Sequence, residues 1–231
     1  ASVIIYWVST LSDLFGKSVL TTLSALKSLL TFLIFAIATI CVNLKSHKYS
    51  AFNILYFALA VFAANIVFAS TVRCHMFSFL FFALFVLILE TYRLQGKKWL
   101  LFLLPILMLF WGNIHGGCLS GLGLILIYAV GEFFNKKNYL PYLMTLIVSL
   151  LVLFVNPYGV EYVKFLFFAG TMNREWISEW ASPFAIPFFA LKFKTYFVFM
   201  LIIGLLKSFE NKFNLKNVDM TKLLLLVSTG C

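Results

Sequence analysis

The sequence predicts an all-α fold, a polytopic bundle of about seven full transmembrane helices followed by a truncated eighth. Hydrophobic residues make up 63% of the 231 residues and charged residues only 11%, whereas a soluble domain carries about 25% charged residues. The apolar stretches run from one end to the other, and the mean hydropathy is +1.01. A spanning helix needs about 20 residues, so the length allows roughly seven or eight spans with short connections. This composition excludes a soluble globular protein.

The predicted spans follow an aromatic segment, residues 2–16, which we expect at the membrane interface. We expect full spans at residues 18–44, 51–70, 76–92, 99–111, 118–134, 140–155 and 196–206, and a truncated eighth from residue 223. The only long connection, residues 156–194, is expected to lie on the non-cytoplasmic side and to hold an interfacial helix. Residues 1–231 then form a single integral membrane domain. Because the first residue is not methionine and the last span stops early, we expect a fragment with both ends incomplete.

Charge fixes the predicted orientation. Lysine and arginine total 18 against 8 acidic residues, a net charge of +10. Such an excess is typical of cytoplasmic loops in a membrane protein, and we expect no nucleic-acid partner. Every second loop is basic, with bases at positions Lys45, Lys48, Arg93, Lys97, Lys98, Lys136, Lys137, Lys207, Lys212, Lys216 and Lys222. We therefore place these loops in the cytoplasm.

Residues suited to chemistry collect on the opposite side. The most specific string is Trp-Gly-Asn-Ile-His-Gly-Gly at residues 111–117, at the outer end of the fourth predicted span. Glycines allow a close backbone approach, His115 can act as acid, base or ligand near neutral pH, and Asn113 can orient it or a substrate hydroxyl. The alternative is a tight helix–turn–helix with an interfacial histidine.

Two shorter motifs lie on the same side. Asn156 and Tyr158 belong to the string Asn-Pro-Tyr-Gly after the sixth predicted span. They suit a binding loop, or else a plain helix stop with Tyr158 in the interfacial aromatic belt. Arg73 and His75 lie between the second and third spans. Arg73 can hold a phosphate through its planar guanidinium, or it can anchor the chain at lipid headgroups.

The densest polar and aromatic cluster lies at residues 174–180. On a helix, Glu175 and Glu179 share one face, as do Trp176 and Trp180. Two neighbouring carboxylates can hold a divalent cation or raise the pKa of one of them for base work. The alternative is an amphipathic interfacial helix with its tryptophans at headgroup level. A metal requirement therefore stays open, with a divalent cation as the candidate cofactor.

The sequence lacks the common nucleotide-binding, metalloprotease and serine-hydrolase motifs. It has no Walker loop, GxGxxG, HExxH or GxSxG string, so it gives no support to nucleotide-driven transport. The four cysteines are widely spaced and predict neither a disulfide framework nor a zinc site.

Four strings in order carry a family resemblance: residues 73–78, 111–117, 156–159 and 179–183. Together they resemble a group of largely uncharacterised bacterial multi-pass membrane proteins. That group is itself similar to the C-type membrane glycosyltransferases, which use polyprenyl-phosphate-linked sugars. The resemblance covers about residues 7–183, and Cys74 stands where the pattern has proline after the arginine.

The resemblance implies a multi-pass protein of a prokaryotic cytoplasmic (inner) membrane, with a site at the outer membrane face that takes a lipid-linked sugar. Arg73 would bind the donor phosphate, and Glu175 or Glu179 would position the acceptor or a metal. The base of such enzymes is commonly an acid in the first outer loop. This chain is expected to begin after that place, and Asp13 is a poor substitute. The candidate catalytic residues are Glu175, Glu179 and His115, and the candidate substrate-binding residues are Arg73, His75, Asn113, Asn156, Tyr158 and Trp180.

Two rival functions remain open beside the glycosyltransferase-like one. A transporter or flippase would move a lipid-linked or small polar solute through broken helices near the bilayer midplane. No clear internal repeat is present, and the polar residues cluster at one surface instead. A structural membrane subunit would use its polar loops to dock a partner. The expected partners are membrane lipids and a polyprenyl-phosphate sugar, and the oligomeric state is open.

Overall fold

A computed structural model of the protein describes residues 6–7, 10, 16, 18–44, 55, 57–58, 61–62, 75–171 and 219–228. All regular structure within these residues is helical. The helices are α1 (Val19–Asn43), α2 (His75–Gln95), α3 (Leu103–Ile114), α4 (Cys118–Phe134), α5 (Leu140–Val152), α6 (Val160–Thr171) and α7 (Met220–Ser228), with a short 3-10 helix (Lys98–Phe102) leading into α3. The predicted all-α class is confirmed for the part of the chain that the structure describes.

Two of these helices are long and apolar enough to cross a membrane. They are α1, with a mean hydropathy of 2.2, and α2, with 1.8. The shorter apolar helices are Lys98–Ile114, Cys118–Phe134 and Leu140–Val152. The last has 13 residues, about 20 Å at 1.5 Å per residue, against a hydrocarbon core of about 30 Å. Helices thus lie where spans one and three to six are predicted, but only two reach full crossing length. The predicted second and seventh spans fall largely or wholly outside the described residues.

Local chemistry explains several helix ends. Ser18 caps α1, since its Oγ accepts a hydrogen bond from the N–H of Thr21 at 3.2 Å. Just after the C-terminal end of α2, Gly96 has a φ of +70° and donates its N–H to the carbonyl of Tyr92 at 2.8 Å. Before α5, the Asn138 side chain accepts the N–H of Leu140 at 3.1 Å, and Pro141 follows inside the first turn.

The chain divides into two compact units, residues 1–126 with 141–163 and residues 127–140 with 164–231. In the first unit, helices α2 to α5 alternate in direction. Ser78 at the start of α2 bonds to Trp111 at the end of α3. Tyr92 near the end of α2 packs against Tyr142 near the start of α5, with ring centroids 5.2 Å apart. The start of α2 and the ends of α3 and α5 therefore face one end of this unit. The basic connection, residues 93–98 from the last turn of α2 to the start of the 3-10 helix, lies at the other end.

The core of the first unit is apolar and is centred on Trp111. This side chain is fully buried, stacked on Phe81 with centroids 5.6 Å apart and edge-on to Phe85 at 5.3 Å. Around it lie the fully buried side chains of Leu104 and Met108. Between α1 and α2, apolar residues of both helices line a cavity of about 480 Å³.

The second unit joins the end of α4 to the start of α7. Thr221 donates to the buried carboxylate of Glu132 at 2.9 Å. Asn135 bonds to Glu132 and Asp219, both at 3.1 Å, and accepts the N–H of Met220 at 3.0 Å. Each buried polar group is thereby paired, as burial requires.

Candidate functional site

The site is built on the turn between α3 and α4, which places His115. Helix α3 ends at Ile114, and His115 adopts an extended backbone with φ −157° and ψ 139°. Its N–H still bonds to the carbonyl of Trp111 at 2.9 Å, and its own carbonyl accepts the N–H of Cys118 at 3.3 Å. The imidazole is half-buried, and the backbone of His115 is held by hydrogen bonds on both sides of the turn.

A chain of three hydrogen bonds fixes the imidazole ring. The indole N–H of Trp111 donates to Ser78 Oγ at 2.9 Å. Ser78 Oγ lies 2.8 Å from His115 Nδ1, and the backbone N–H of Gly117 donates to the same Nδ1 at 3.0 Å. Trp111 and Ser78 are buried, so little water competes for these bonds.

Gly117 is the residue that this arrangement requires. A Cβ at this position would lie 2.7 Å from Ser78 Oγ and 2.8 Å from His115 Nδ1. Both distances are far inside van der Waals contact, and both atoms are already held by hydrogen bonds. The glycine therefore serves close approach, as the sequence indicates for this string.

His75 stands beside His115 at the start of α2. The two rings are tilted by 54°, with centroids 4.8 Å apart. His75 is exposed and His115 is half-buried. Burial lowers the pKa of His115 below its usual value, and the neighbouring His75 lowers it further. His115 is therefore neutral at pH 7.

Asn113 and Asn156 form the second part of the site. Asn113 Nδ2 donates to the carbonyls of Leu109 at 2.8 Å and Val155 at 3.2 Å. Its Oδ1 accepts from Asn156 Nδ2 at 2.9 Å, and Asn156 Oδ1 accepts the N–H of Tyr158 at 3.0 Å. The pair ties the end of α3 to the turn after α5, with Asn113 exposed and Asn156 half-buried.

The turn after Asn156 leads into α6 and brings in Tyr162. Gly159 has a φ of +53°, and the side chain of Tyr158 is 75% exposed. Tyr162 donates its hydroxyl to the carbonyl of Gly112. Burial raises the pKa of the Tyr162 hydroxyl, so it remains a proton donor at every physiological pH.

Five predicted site residues thus lie at the same end of the first unit, in two groups. His75 and His115 form one group; Asn113 and Asn156 form the other, with Tyr158 in the same turn. The remaining predicted site residues lie outside the described residues: Arg73, Glu175, Glu179 and Trp180. Within the described ranges, no group of three or more His, Cys, Asp or Glu side chains is placed to hold a metal ion.

Sequence reasoning missed Ser78 and Tyr162. Ser78 follows His75 by three positions, which places both on one face of α2, and that spacing is a usable signal for the serine. Tyr162 lies 50 positions beyond the carbonyl it bonds. Only the fold brings these two groups together.

The arrangement defines a helical protein with a cluster of polar side chains at one end of its first unit and two described helices able to cross a membrane. No family model, no curated protein and no solved structure matches the chain.

Proposed function

We propose that this protein is a multi-pass membrane glycosyltransferase that moves a sugar from a polyprenyl-phosphate donor at the non-cytoplasmic face. The observation that carries the proposal is the meeting of His75, His115, Asn113 and Asn156 at one end of the first unit. The basic connection that marks the cytoplasmic side lies at the other end. The placement of positive charge at one end and of the polar side chains at the other suits an enzyme that works at the outer face.

The chemistry of these side chains fits an oxygen-rich substrate. Amides and a neutral imidazole hydrogen-bond sugar hydroxyls and phosphate oxygens without the cost of burying a charge. Arg73, two positions before His75 in the chain, supplies the positive charge that a departing lipid phosphate needs. Glu175 and Glu179 remain the proposed acids for positioning the acceptor or a cation.

The apolar surfaces support a lipid-linked donor. Large apolar side chains of α3 to α5 are exposed, including Phe110 at 56%, Met144 at 61% and Leu151 at 60%. Met76, next in the chain to His75, lines the apolar cavity between α1 and α2. An isoprenoid chain can therefore lie against this unit while its phosphate reaches the polar end. Such a surface suits lipid contact better than water.

The test is to identify the lipids that copurify with the protein in mild detergent by mass spectrometry. We expect a polyprenyl-phosphate sugar with the unaltered protein and its loss from Arg73→Ala. The matched control is Arg93→Ala, which removes an arginine at the opposite end, where it pairs with Glu90 at 3.4 Å. This control should retain the lipid-linked sugar. Only bulk phospholipid in all three samples contradicts the proposal and favours a transporter or structural subunit.

A further inference from the structure

The direction of each hydrogen bond around His115 follows from groups that can only donate. An indole N–H has no lone pair to accept with, so Ser78 Oγ is the acceptor from Trp111. A backbone N–H likewise only donates, so His115 Nδ1 is the acceptor from Gly117. The single hydroxyl proton of Ser78 then points to Nδ1, 2.8 Å away. Because the donors from Trp111 and Gly117 are fixed, the hydrogen bond between Ser78 and His115 has one possible direction, from the serine hydroxyl to Nδ1.

The opposite tautomer does not fit this geometry. A proton on Nδ1 would face the N–H of Gly117 across 3.0 Å and would turn the Ser78 hydroxyl proton away. Two donors would then oppose each other in a half-buried position, which costs the desolvation of an unpaired donor. The same clash opposes a doubly protonated ring, in agreement with the lowered pKa of His115.

We infer that Ser78 is a positioning residue: with the Gly117 N–H, it holds His115 as the tautomer with its proton on Nε2, which donates to a substrate oxygen. The tautomer rests on the geometry alone, whereas the identity of the oxygen, on a phosphate or a sugar hydroxyl, rests on the proposed function. Nε2 has no hydrogen-bond partner within the described residues, so it is available to a ligand there.

This assignment limits what His115 does in catalysis. The lone pair on Nδ1 is already occupied by two donors, and Nε2 carries the proton. His115 therefore acts as a neutral hydrogen-bond donor and leaves the abstraction of a proton from the acceptor to another group. A neutral donor beside the exposed His75 suits a phosphate oxygen or a sugar hydroxyl equally well.

The experiment is nitrogen-15 NMR of histidine-labelled protein in detergent micelles. The sequence holds three histidines, so His75→Gln and His47→Gln identify the His115 signals. The shifts of the two ring nitrogens distinguish the tautomers directly. We expect a bare Nδ1 and a protonated Nε2 at pH 7.5. A protonated Nδ1 in the unaltered protein overturns the inference, whatever the variants do.

Ser78→Ala tests the role of the serine. It removes a bond made only to the neutral ring, so we expect the pKa of His115 to rise by about 0.5 to 1. The matched control is Ser120→Ala, whose hydroxyl donates to the carbonyl of Gly117 at 2.7 Å without touching the ring; it should leave the pKa unchanged. An equal response to both variants contradicts the role. If Ser78→Ala does not fold, Ser78→Cys, with its weaker S–H donor, replaces it.

The ligand part is tested with farnesyl phosphate added to the same micelles. We expect the Nε2 signal of His115 to move and the Nδ1 signal to stay, because only Nε2–H meets the added oxygen. An unmoved Nε2 signal overturns the donor role.

The proposed function and the positioning role can fail separately. If the tautomer is as inferred but no lipid-linked sugar copurifies, the proposed function fails and the positioning role stands. If the sugar copurifies but Nδ1 is protonated, the positioning role fails alone.

Discussion

At the scale of single residues, His115 illustrates how a neutral side chain is maintained by its neighbours. Burial and His75 disfavour the charged ring, and the bonds from Ser78 and Gly117 stabilise the neutral one. The same histidine alone in a loop would titrate near 6.5. His115 differs from such a histidine because the buried Ser78 bonds both its ring and Trp111. The sequence around His115 gives no sign of this contact with Ser78.

The lowered pKa of His115 predicts that the folded protein loses stability in acid. The folded state holds the pKa of His115 below its usual value, so below pH 6.5 the unfolded chain binds the proton first. We expect stability from this group to be complete above pH 6.5 and to fall as the pH drops through and below that value. Melting temperatures in detergent at pH 8 and pH 5 measure the fall, and His115→Gln should reduce it.

His75→Gln separates the two causes in the same measurement. It removes the neighbouring imidazole but leaves burial, which is the larger cause of the lowered pKa of His115, so the acid-induced fall should shrink without vanishing. An unchanged fall in His115→Gln would show that other groups produce the acid sensitivity. His47→Gln, a substitution outside the described residues, serves as the control for loss of a histidine.

At the scale of elements, Gly123 and Gly131 of helix α4 have opposite surroundings. A Cβ on Gly131 would lie 2.4 Å from Thr221 Oγ1 and 2.5 Å from the Thr221 Cα, whereas a Cβ on Gly123 would meet nothing within 4 Å. Gly131 thus allows α7 to approach α4 within the second unit. There the paired groups of Glu132, Asn135 and Thr221 connect the two helices.

Alanine at the two glycines should therefore act in opposite directions. Gly131→Ala places a methyl group against both the backbone and the side chain of Thr221. We expect it to lower the free energy of unfolding by about 1–3 kcal/mol. Gly123→Ala should be neutral or stabilise by about 0.5–1 kcal/mol, because alanine is the better helix former. Thermal unfolding in detergent measures both. Equal effects would mean that α7 does not pack at Gly131.

Element limits were largely readable from the sequence. The predicted segments 18–44 and 118–134 correspond to α1 and α4 within one residue at each end. These limits follow from Ser18 as a cap and from polar or glycine-containing turns, which are local signals. The predicted sixth span is three residues longer than α5, because the chain turns at Leu153 and Phe154 before reaching the polar Asn156. Apolar composition alone gave no sign of that turn.

At the scale of the whole molecule, the proposed membrane topology joins charge to geometry. The first unit has the basic connection Arg93–Lys98 at one end and the histidine and asparagine groups at the other. The positive-inside rule assigns the basic end to the cytoplasm. Two described helices have the length and hydropathy to cross a bilayer, and the multi-pass arrangement in an inner membrane remains our proposal.

Single-cysteine labelling tests that arrangement. In a background with the native cysteines replaced, we expect Tyr158→Cys to react with an impermeant maleimide in intact bacterial cells. Lys97→Cys should react only after the membrane is permeabilised. Both positions are exposed in the structure, so burial does not account for a difference. Reaction of both in intact cells would contradict the topology, and the reversed pattern would place the candidate site in the cytoplasm.

The sequence by itself determined the helical class and the positions of most described helices. These properties depend on composition and on signals within one or two turns, which the chain carries locally. The tertiary structure alone decided that Ser78 bonds His115, that Tyr162 reaches Gly112 and that Asn113 meets Asn156. Such contacts join residues 37 to 50 positions apart. Their partners are set by how helices pack, because no local pattern encodes which side chains face each other across a bundle.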